Sequence, residues 1–497
     1  MPAVRPSSAR PAAPVRSPRR QSPATRPVAP ARRPALARRA ARPVELLGSA
    51  DARMLRARFG AQLLLPGDDA YEAGRFGHNT SYDKRPAAIV RPLDTHGIAA
   101  AVVAARELEL DLAVRGGGHS VAGHSTSDGG LLVDLRDMRS VDIDPFRMTG
   151  TAQGGTTAGE YTSAAQTHGL ATPFGDTGNV GLGGLTLGGG IGWLARKHGM
   201  TIDNLLAVDL VTADGEVETV SESSDAELFW AFRGGGGNFG IAARFRYRLQ
   251  PVHIVTAGAL FLPLTRDVLR GVIDASLEAP DDLTQITFVM AVPPAPFVPA
   301  ELVGTPAVVV MPVVVGDPGA GAAAMAPFRS IATPIADLVQ AMPYEAMYEI
   351  TKDAATPAAA VVRSAFSDGL SDAALDAIVE RHSSPEGAAA ISQIRVLGGA
   401  MARVPAGATA FAHRAAPLMT AIIAHVTGDQ AATESWADAY HAELSGNATG
   451  VYSNFLANEG EARLGEAYPV ATYERLAAVK RRVDPANVFR GNHNIRP

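Results

Sequence analysis

Glycine is unevenly distributed along this chain of 497 residues. Of its 50 glycines, 27 lie between residues 116 and 240, about a quarter of the length. Three clusters dominate: RGGGHS at 115–120, VGLGGLTLGGGIGW at 180–193 and RGGGGNFG at 233–240. A tight turn alone needs one glycine, or two. Clusters of this density let the backbone approach a phosphate or a flat ring closely, and they present N–H groups as an anion nest. The clusters are not periodic, which excludes collagen and solenoid repeats. Three such loops in one span predict a bound nucleotide-like cofactor, with an ordinary turn as the alternative for any single glycine. No Gly-Lys pair occurs, so a Walker A loop is absent. GxGxxG matches once, at Gly235, Gly237 and Gly240, but it follows a predicted helix and not a strand, so the Rossmann context fails. Neither HExxH nor GxSxG occurs, which removes the obvious zinc-protease and hydrolase readings.

The surrounding pattern is that of a mixed α and β protein. AAIVRPL at 87–93, DLAVRGG, LLVDL at 131–135 and RMTGTAQGG near 150 read as strands. A helix is predicted from Asp94 to about Leu108, another from Ala158 to a left-handed cap at Gly169. Ser224 and Glu227 suggest a capping box opening DAELFWAFR. From 253 to 449 the texture changes. ITFVMAV, PAVVVMPVVV and ISQIRVLGG read as strands, DAALDAIVERH and APLMTAIIAHV as helices. In SQIRV the period of two puts Gln393 and Arg395 on one face, lining a pocket or facing solvent. YERLAAVKRRV reads as a final helix stopped by Asp484-Pro485.

There is no Cys, which excludes disulfides, thiolate metal sites and a cysteine nucleophile. The net charge of −5 conceals an asymmetry. Residues 1–44 carry eleven Arg and no acid, leaving 34 Lys and Arg against 50 Asp and Glu in the remainder, a net of −16. This Pro/Ala/Arg-rich tail has too few large apolar residues to fold. It reads as a disordered extension or as a start placed upstream of Met54, and attraction to nucleic acid or a membrane surface is the alternative. No apolar region follows its Arg pairs as a signal peptide requires, and TPAVVVMPVVVG at 305–316 is too short to span a membrane, so a cytoplasmic location is expected. His124 is not at a convincing metal spacing from His119, and no metal is expected.

In order and spacing, RGGGHS, DGGLLVDL, PFGDTGNVGLGGLTLGGGIGW and LFWAFRGGGGNFG resemble the FAD-binding half of the berberine bridge enzyme-like oxidases, within the vanillyl-alcohol-oxidase (PCMH-type) fold. YSNFL near 452 and YERLAAVKRRVDPANVFRGNHNI resemble the same family's C-terminal segment. The likeness covers about residues 55 to 497. It implies an α+β fold: a disordered extension (1–48), a two-part PCMH-type FAD-binding domain (49–252), a substrate domain with an antiparallel sheet backed by helices (253–449), and a C-terminal segment returning to the FAD domain (450–497). It further implies FAD bonded covalently through His119. Many relatives add a second bond through a Cys whose place Thr177 takes here, so only one tether is possible. Arg115, Gly116, Gly117, Gly118 and Ser120 are expected along the pyrophosphate and ribityl chain. Val180, Gly183, Gly184, Gly188 and Gly190 are expected beside the flavin, with Ile241 and Asn454 as further contacts. Tyr452 is the expected base, with Tyr348 and Arg395 as secondary catalytic candidates and Tyr344 beside them. The expected activity is oxidation of an alcohol or amine-type C–H on a small molecule by hydride transfer to flavin N5, with O2 as acceptor giving H2O2. A dehydrogenase, an oxygenating enzyme of specialised metabolism and a non-catalytic flavin-binding protein are the alternatives. Oligomeric state is left open.

Overall fold

The strand Leu112–Arg115 runs directly into the first glycine cluster, and the packing behind it explains why this turn sits where it does. The computed structural model describes residues 47–294, 300–352 and 356–497; the expected disordered extension lies outside them except for its last two positions. Ala88–Val90, Leu131–Asp134 and Leu112–Arg115 pair in parallel, with Leu63–Leu64 antiparallel at one edge. Parallel neighbours require a crossover, and the helix Thr95–Glu107 provides one. Asp94 caps it, its carboxylate accepting the Gly97 N–H at 2.8 Å. The face carrying Ile98, Ala101, Val102 and Ala105 is buried.

A second, antiparallel sheet takes Val141–Asp144, Thr149–Gln153, Ile241–Arg248, Leu205–Val211 and Val217–Ser221 in that spatial order. In its central strand Phe245 and Tyr247 point into the core, while Arg244, Arg246 and Arg248 are exposed, the alternation expected of a half-covered sheet. The helix Ala226–Phe232 is capped by Asp225, whose carboxylate accepts the Leu228 N–H at 3.0 Å, and not by Ser224. The Ser224 hydroxyl is engaged elsewhere, donating to the Thr219 carbonyl at 3.0 Å. A true capping box forms instead at Thr157 and Glu160, opening Ala158–Gln166. That helix stops at Gln166, and Gly169 takes its left-handed conformation (φ 66°) three residues later.

The large sheet has ten strands, drawn from Ile254 to Gly450, and all its pairings are antiparallel. Its long strand Pro306–Val315 is apolar on both faces. Val308, Val310 and Val314 meet the helices Arg266–Glu278 and Pro318–Arg329, whereas Val309, Met311, Val313 and Val315 join the core that contains Trp193 and Phe174. APLMTAIIAHV is not a helix: Leu418–His425 is a strand between Ala390–Val396 and Ala360–Ser367. Covered on both faces, it has no polar stripe to betray its period.

The C-terminal helix Val470–Val483 ends at Asp484-Pro485 as expected. Near its end Lys480 and Asp484 are wholly buried and 2.6 Å apart. Lys480 also donates to the carbonyls of Asn238 (2.7 Å) and Phe489 (3.1 Å), clasping the third glycine cluster to the last residues. Among the described residues, no helix is long and apolar enough to cross a membrane.

Candidate active site

The first two glycine clusters meet back to back. A Cβ on Gly117 would lie 2.2 Å from the Gly181 nitrogen, and one on Gly181 would lie 2.1 Å from the Gly117 nitrogen. No side chain can relieve a collision with backbone, so each glycine is required by the other. Gly116 and Gly183 face the Gly154 carbonyl, both at 3.1 Å from an added Cβ. The third cluster locks onto the second, with Gly234 and Gly236 N–H groups both donating to the Leu187 carbonyl at 3.0 Å. One position breaks this crowding. Gly184 is exposed within an otherwise buried helix, Leu182–Gly188, and a Cβ there would meet nothing within 4 Å.

His119 leaves the first cluster, and its ring stacks on His78, centroids 4.1 Å apart and planes 19° apart. Burial, then the neighbouring His78, lowers its pKa to about 3, against a hydrogen bond to the Asn179 backbone that pulls upward, so the ring is held neutral. His78 is itself anchored, its backbone N–H donating to the Gly118 carbonyl at 2.8 Å. Gly118 takes φ 85° at this bend. Ser120 stabilises the loop, its Oγ accepting the His124 N–H at 3.0 Å, and the His124 ring packs edge-on against His493.

The C-terminal segment brings Tyr452 to the second cluster. Its Oη accepts the Gly190 N–H at 2.8 Å and an Asn454 Nδ2–H at 2.9 Å. Burial raises the phenol's pKa, against which the Gly190 and Asn454 donors and the charge of Arg395 pull downward. Arg395 is 3% exposed, so the polar face of SQIRV points inward and not to solvent. It donates from Nη2 to Asp176 Oδ2 at 2.5 Å and to Gln393 Oε1 at 2.7 Å, and its guanidinium lies 5.4 Å from the Phe455 ring centre. Its Nε is buried with no hydrogen-bond partner. Tyr348 is in the core, its Oη donating to the Gly175 carbonyl at 3.3 Å, and burial pushes its phenol up to about 12. Tyr344 is wholly buried nearby.

Several expected cofactor contacts are otherwise engaged. Arg115 is fully buried, and its guanidinium donates to the carbonyls of Ser125 (2.9 Å), Arg75 (2.8 Å) and Gly74, with Asp134 at 3.6 Å, so it braces the loop and is not free for a pyrophosphate. Asn454 turns its amide onto Tyr452 and the Leu185 carbonyl (3.1 Å). Ile241 packs in the apolar core with Val211, Ala243 and Phe489. Val180 is half-buried, its carbonyl accepting the Ala158 N–H at 2.9 Å. Asp176 and His78 have no signal in sequence: each is one polar residue in a loop, and its partner lies 219 or 41 positions away, at Arg395 and His119.

These surroundings fit FAD. Backbone-lined loops, a neutral imidazole and an open cradle at Gly184 suit a flat ring with a phosphate tail, and the one acid at the centre, Asp176, is neutralised by Arg395. Among the described residues no group of three or more His, Asp or Glu is placed to hold a metal. Comparison with known proteins agrees. A family model described as FAD binding domain matches residues 86–221, and one described as berberine and berberine like matches 451–496. An FAD-linked oxidoreductase of Dictyostelium discoideum is 30% identical over 425 residues, 83% of this chain and 89% of the relative. The structure of 6-hydroxy-D-nicotine oxidase from Arthrobacter nicotinovorans superposes with a TM-score of 0.77 at 26% identity, covering 88% of this chain and 98% of that one. Glucooligosaccharide oxidase from Acremonium strictum, described as carrying 6-S-cysteinyl, 8α-N1-histidyl FAD, has the same fold, with a TM-score of 0.78 at 23% identity over 90% and 99% of the two chains. With a PCMH-type fold, a site suited to FAD and a relative matched over nearly its whole length, the chain belongs to the berberine bridge enzyme-like family of FAD-linked oxidoreductases.

Proposed function

We propose that the protein is an oxidase that holds FAD through a single covalent bond from His119 and oxidises an alcohol or amine-type C–H on a small molecule. The observation that carries the chemistry is the Tyr452 oxygen, held by two N–H donors and within reach of the Arg395 charge. When bound, FAD would supply the hydride acceptor, with O2 as the final oxidant giving H2O2. The chain supplies the rest. Tyr452 Oη takes the proton of the substrate hydroxyl or ammonium as the C–H electron pair leaves with its hydrogen. Arg395, fixed by Asp176, offers a positive charge that steadies a phenolate, and its unpartnered Nε is a donor for substrate or reduced cofactor. Tyr348, whose phenol burial pushes up to about 12 and whose Oη already donates to the Gly175 carbonyl at 3.3 Å, is the less suited of the two to take a proton.

Support for the tether comes from His119 itself, a neutral imidazole at the mouth of the loop, and from the histidyl bond described for the fungal oligosaccharide oxidase. The chain has no Cys, and Thr177 Oγ1 donates to Asp176 at 3.2 Å, so a second tether is excluded. The test is direct. Acid-denatured protein should keep yellow, fluorescent flavin in its gel band, and His119→Ala should release it. Anaerobic mixing with 6-hydroxynicotine and with cellobiose samples the two substrate chemistries of the relatives. Whichever bleaches the flavin should do so at least about 100-fold more slowly in Tyr452→Phe. Peroxide formed under air in equal amount to product identifies an oxidase; a Tyr452→Phe variant as fast as the parent would refute the base.

A further inference from the structure

Residues 77–80 lie against the RGGGHS loop and fasten it to the large sheet. The His78 N–H donates to the Gly118 carbonyl at 2.8 Å, and the His78 carbonyl accepts the Ala358 N–H at 3.1 Å. The Thr80 N–H donates back to the Ala358 carbonyl at 3.1 Å. Asn79 completes the clasp, its Nδ2 donating to the Ala360 carbonyl at 2.9 Å and its Oδ1 accepting the Ala360 N–H at 3.3 Å. Ala360 opens the strand Ala360–Ser367 of the ten-stranded sheet. The segment can approach the loop this closely because position 77 is glycine: a Cβ there would lie 2.8 Å from Ser125 Oγ and 3.0 Å from the Gly118 carbonyl oxygen. With its backbone bonded on both sides, residue 78 has a fixed Cα–Cβ direction.

That direction sets two imidazoles face to face, the His78 and His119 centroids 4.1 Å apart and the planes 19° apart. Among the described residues neither nitrogen of His78 has a hydrogen-bond partner, and a face-to-face stack offers no N–H···N line for a proton to follow. What His78 gives His119 is therefore the face of its ring. His119 has one further contact, a hydrogen bond to the Asn179 backbone. Stack and hydrogen bond together fix the plane of the ring and its rotation within that plane. The titratable and charged groups that act on the two rings are Asp176 on His119 and His425 on His78. Asp176 is paired with Arg395, and burial holds both imidazoles towards neutrality, so no charge repulsion opens the stack.

We propose that His78 is a positioning residue for the tether: its ring, aimed by the clasp of residues 77–80 on the strand from Ala360, holds the His119 imidazole in the plane from which it bonds to the flavin 8α-methyl carbon. The net change is one methyl C–H and one imidazole N–H exchanged for one C–N bond, the two hydrogens leaving with two electrons to O2 as H2O2. A ring that turns freely meets that carbon correctly only part of the time, so orientation governs the rate. The inference rests on the reading of His119 as the tether.

The experiment follows attachment and not turnover. Full-length protein is sampled through a short induction, and each sample is read for total flavin in the native protein and for acid-stable flavin in the gel band. His78→Leu keeps a side chain of similar size but has no plane. It should leave melting temperature and total flavin as in the parent while acid-stable flavin appears about 2- to 10-fold more slowly, the scale on which one aromatic contact acts. His78→Phe, which restores a flat face without a ring nitrogen, should recover the parent rate. An unchanged rate in His78→Leu overturns the proposal. So does a His78→Phe as slow as His78→Leu, which would give the role to the imidazole nitrogens. Total flavin falling in step with acid-stable flavin also overturns it, because His78 would then only support the fold. Should His78→Leu fail to fold, Asn79→Ala loosens the clasp and leaves both rings in the chain; it should slow attachment, and an unchanged rate there decides against the proposal. A parent that releases all its flavin on denaturation refutes the tether and leaves the stack to be judged alone. In holoprotein labelled with 15N-histidine, His119 should then show one tautomer in the parent and in His78→Phe and an averaged pair in His78→Leu; one tautomer in His78→Leu overturns the part given to the stack.

Discussion

At the scale of single residues, two glycines of one family pattern make opposite demands. Gly117 faces backbone, since an added Cβ would lie 2.2 Å from the Gly181 nitrogen and 2.7 Å from its Cα. Gly117→Ala must push the two loops apart, and overpacking of this kind costs about 1–3 kcal/mol. Gly184 faces open space in a helix. Gly184→Ala should leave stability unchanged or raise it by about 0.5–1 kcal/mol, while lowering flavin content if the cradle holds the ring. Thermal melts and the flavin-to-protein absorbance ratio separate the cases: Gly117→Ala loses both, Gly184→Ala loses only flavin. Undiminished flavin in Gly184→Ala would show that this position does not face the cofactor. The sequence carried half of this distinction. Clustered glycines announce close approach, but whether the neighbour is a ligand or another loop depends on contacts made 64 positions away. Arg115 makes the same point: the resemblance sets it along the pyrophosphate, whereas its direction at the strand end sends the guanidinium into the carbonyls of residues 74, 75 and 125.

At the scale of elements, legibility followed exposure. Thr95–Glu107 and Val470–Val483 each have a wet face, so the start at Asp94 of the first and the stop at Asp484-Pro485 of the second agree with what forms. Leu418–His425 has none, and Ala, Leu and Met lent it a helical look that its place between two strands overrides. Lys480, in the last turn of the final helix, and Asp484, its C-cap, are both wholly buried. That pair ties the helix to the third glycine cluster through the Asn238 carbonyl, and Asp484 also accepts the N–H groups of Val488 (2.8 Å) and Phe489 (2.9 Å). Lys480→Met leaves a buried carboxylate without its cation and should cost about 3–5 kcal/mol, nearer the lower figure because the two N–H bonds remain. Adding Asp484→Asn removes the orphaned charge and should recover part of the loss. A double variant as unstable as the sum of the singles, measured by denaturant midpoint, would mean that the two side chains do not act as a pair.

At the scale of the whole molecule, charge and burial make competing forecasts about acid. With a net charge of −5 and an isoelectric point near 6.2, self-repulsion should ease as the pH falls from 8 towards 6. Buried histidines argue the other way. His124, His198 and His382, on three different elements, have pKa values lowered by burial to about 3, about 4 and about 4. In the unfolded chain each titrates near 6.5. Between that value and the folded one the unfolded state binds more protons, so stability rises with pH and is lost as pH falls, by at most about 1.4 kcal/mol per pH unit for each ring. The pairs Asp225–Arg482 and Glu227–Arg475, whose carboxyl pKa values are lowered, act with the same sign further into acid. Three rings outweigh a modest change in diffuse repulsion, so the melting temperature should fall steadily from pH 6.5 to 4.5. His382 offers a control. Its Nε2 lies 2.8 Å from Ser392 Oγ, an interaction that asparagine can replace without titrating, so His382→Asn should flatten the slope by at most about a quarter, since burial lowers His119 to about 3 as well. A melting temperature that holds level or rises over this range would show that these rings are protonated within the folded protein, and that their burial does not govern its response to acid.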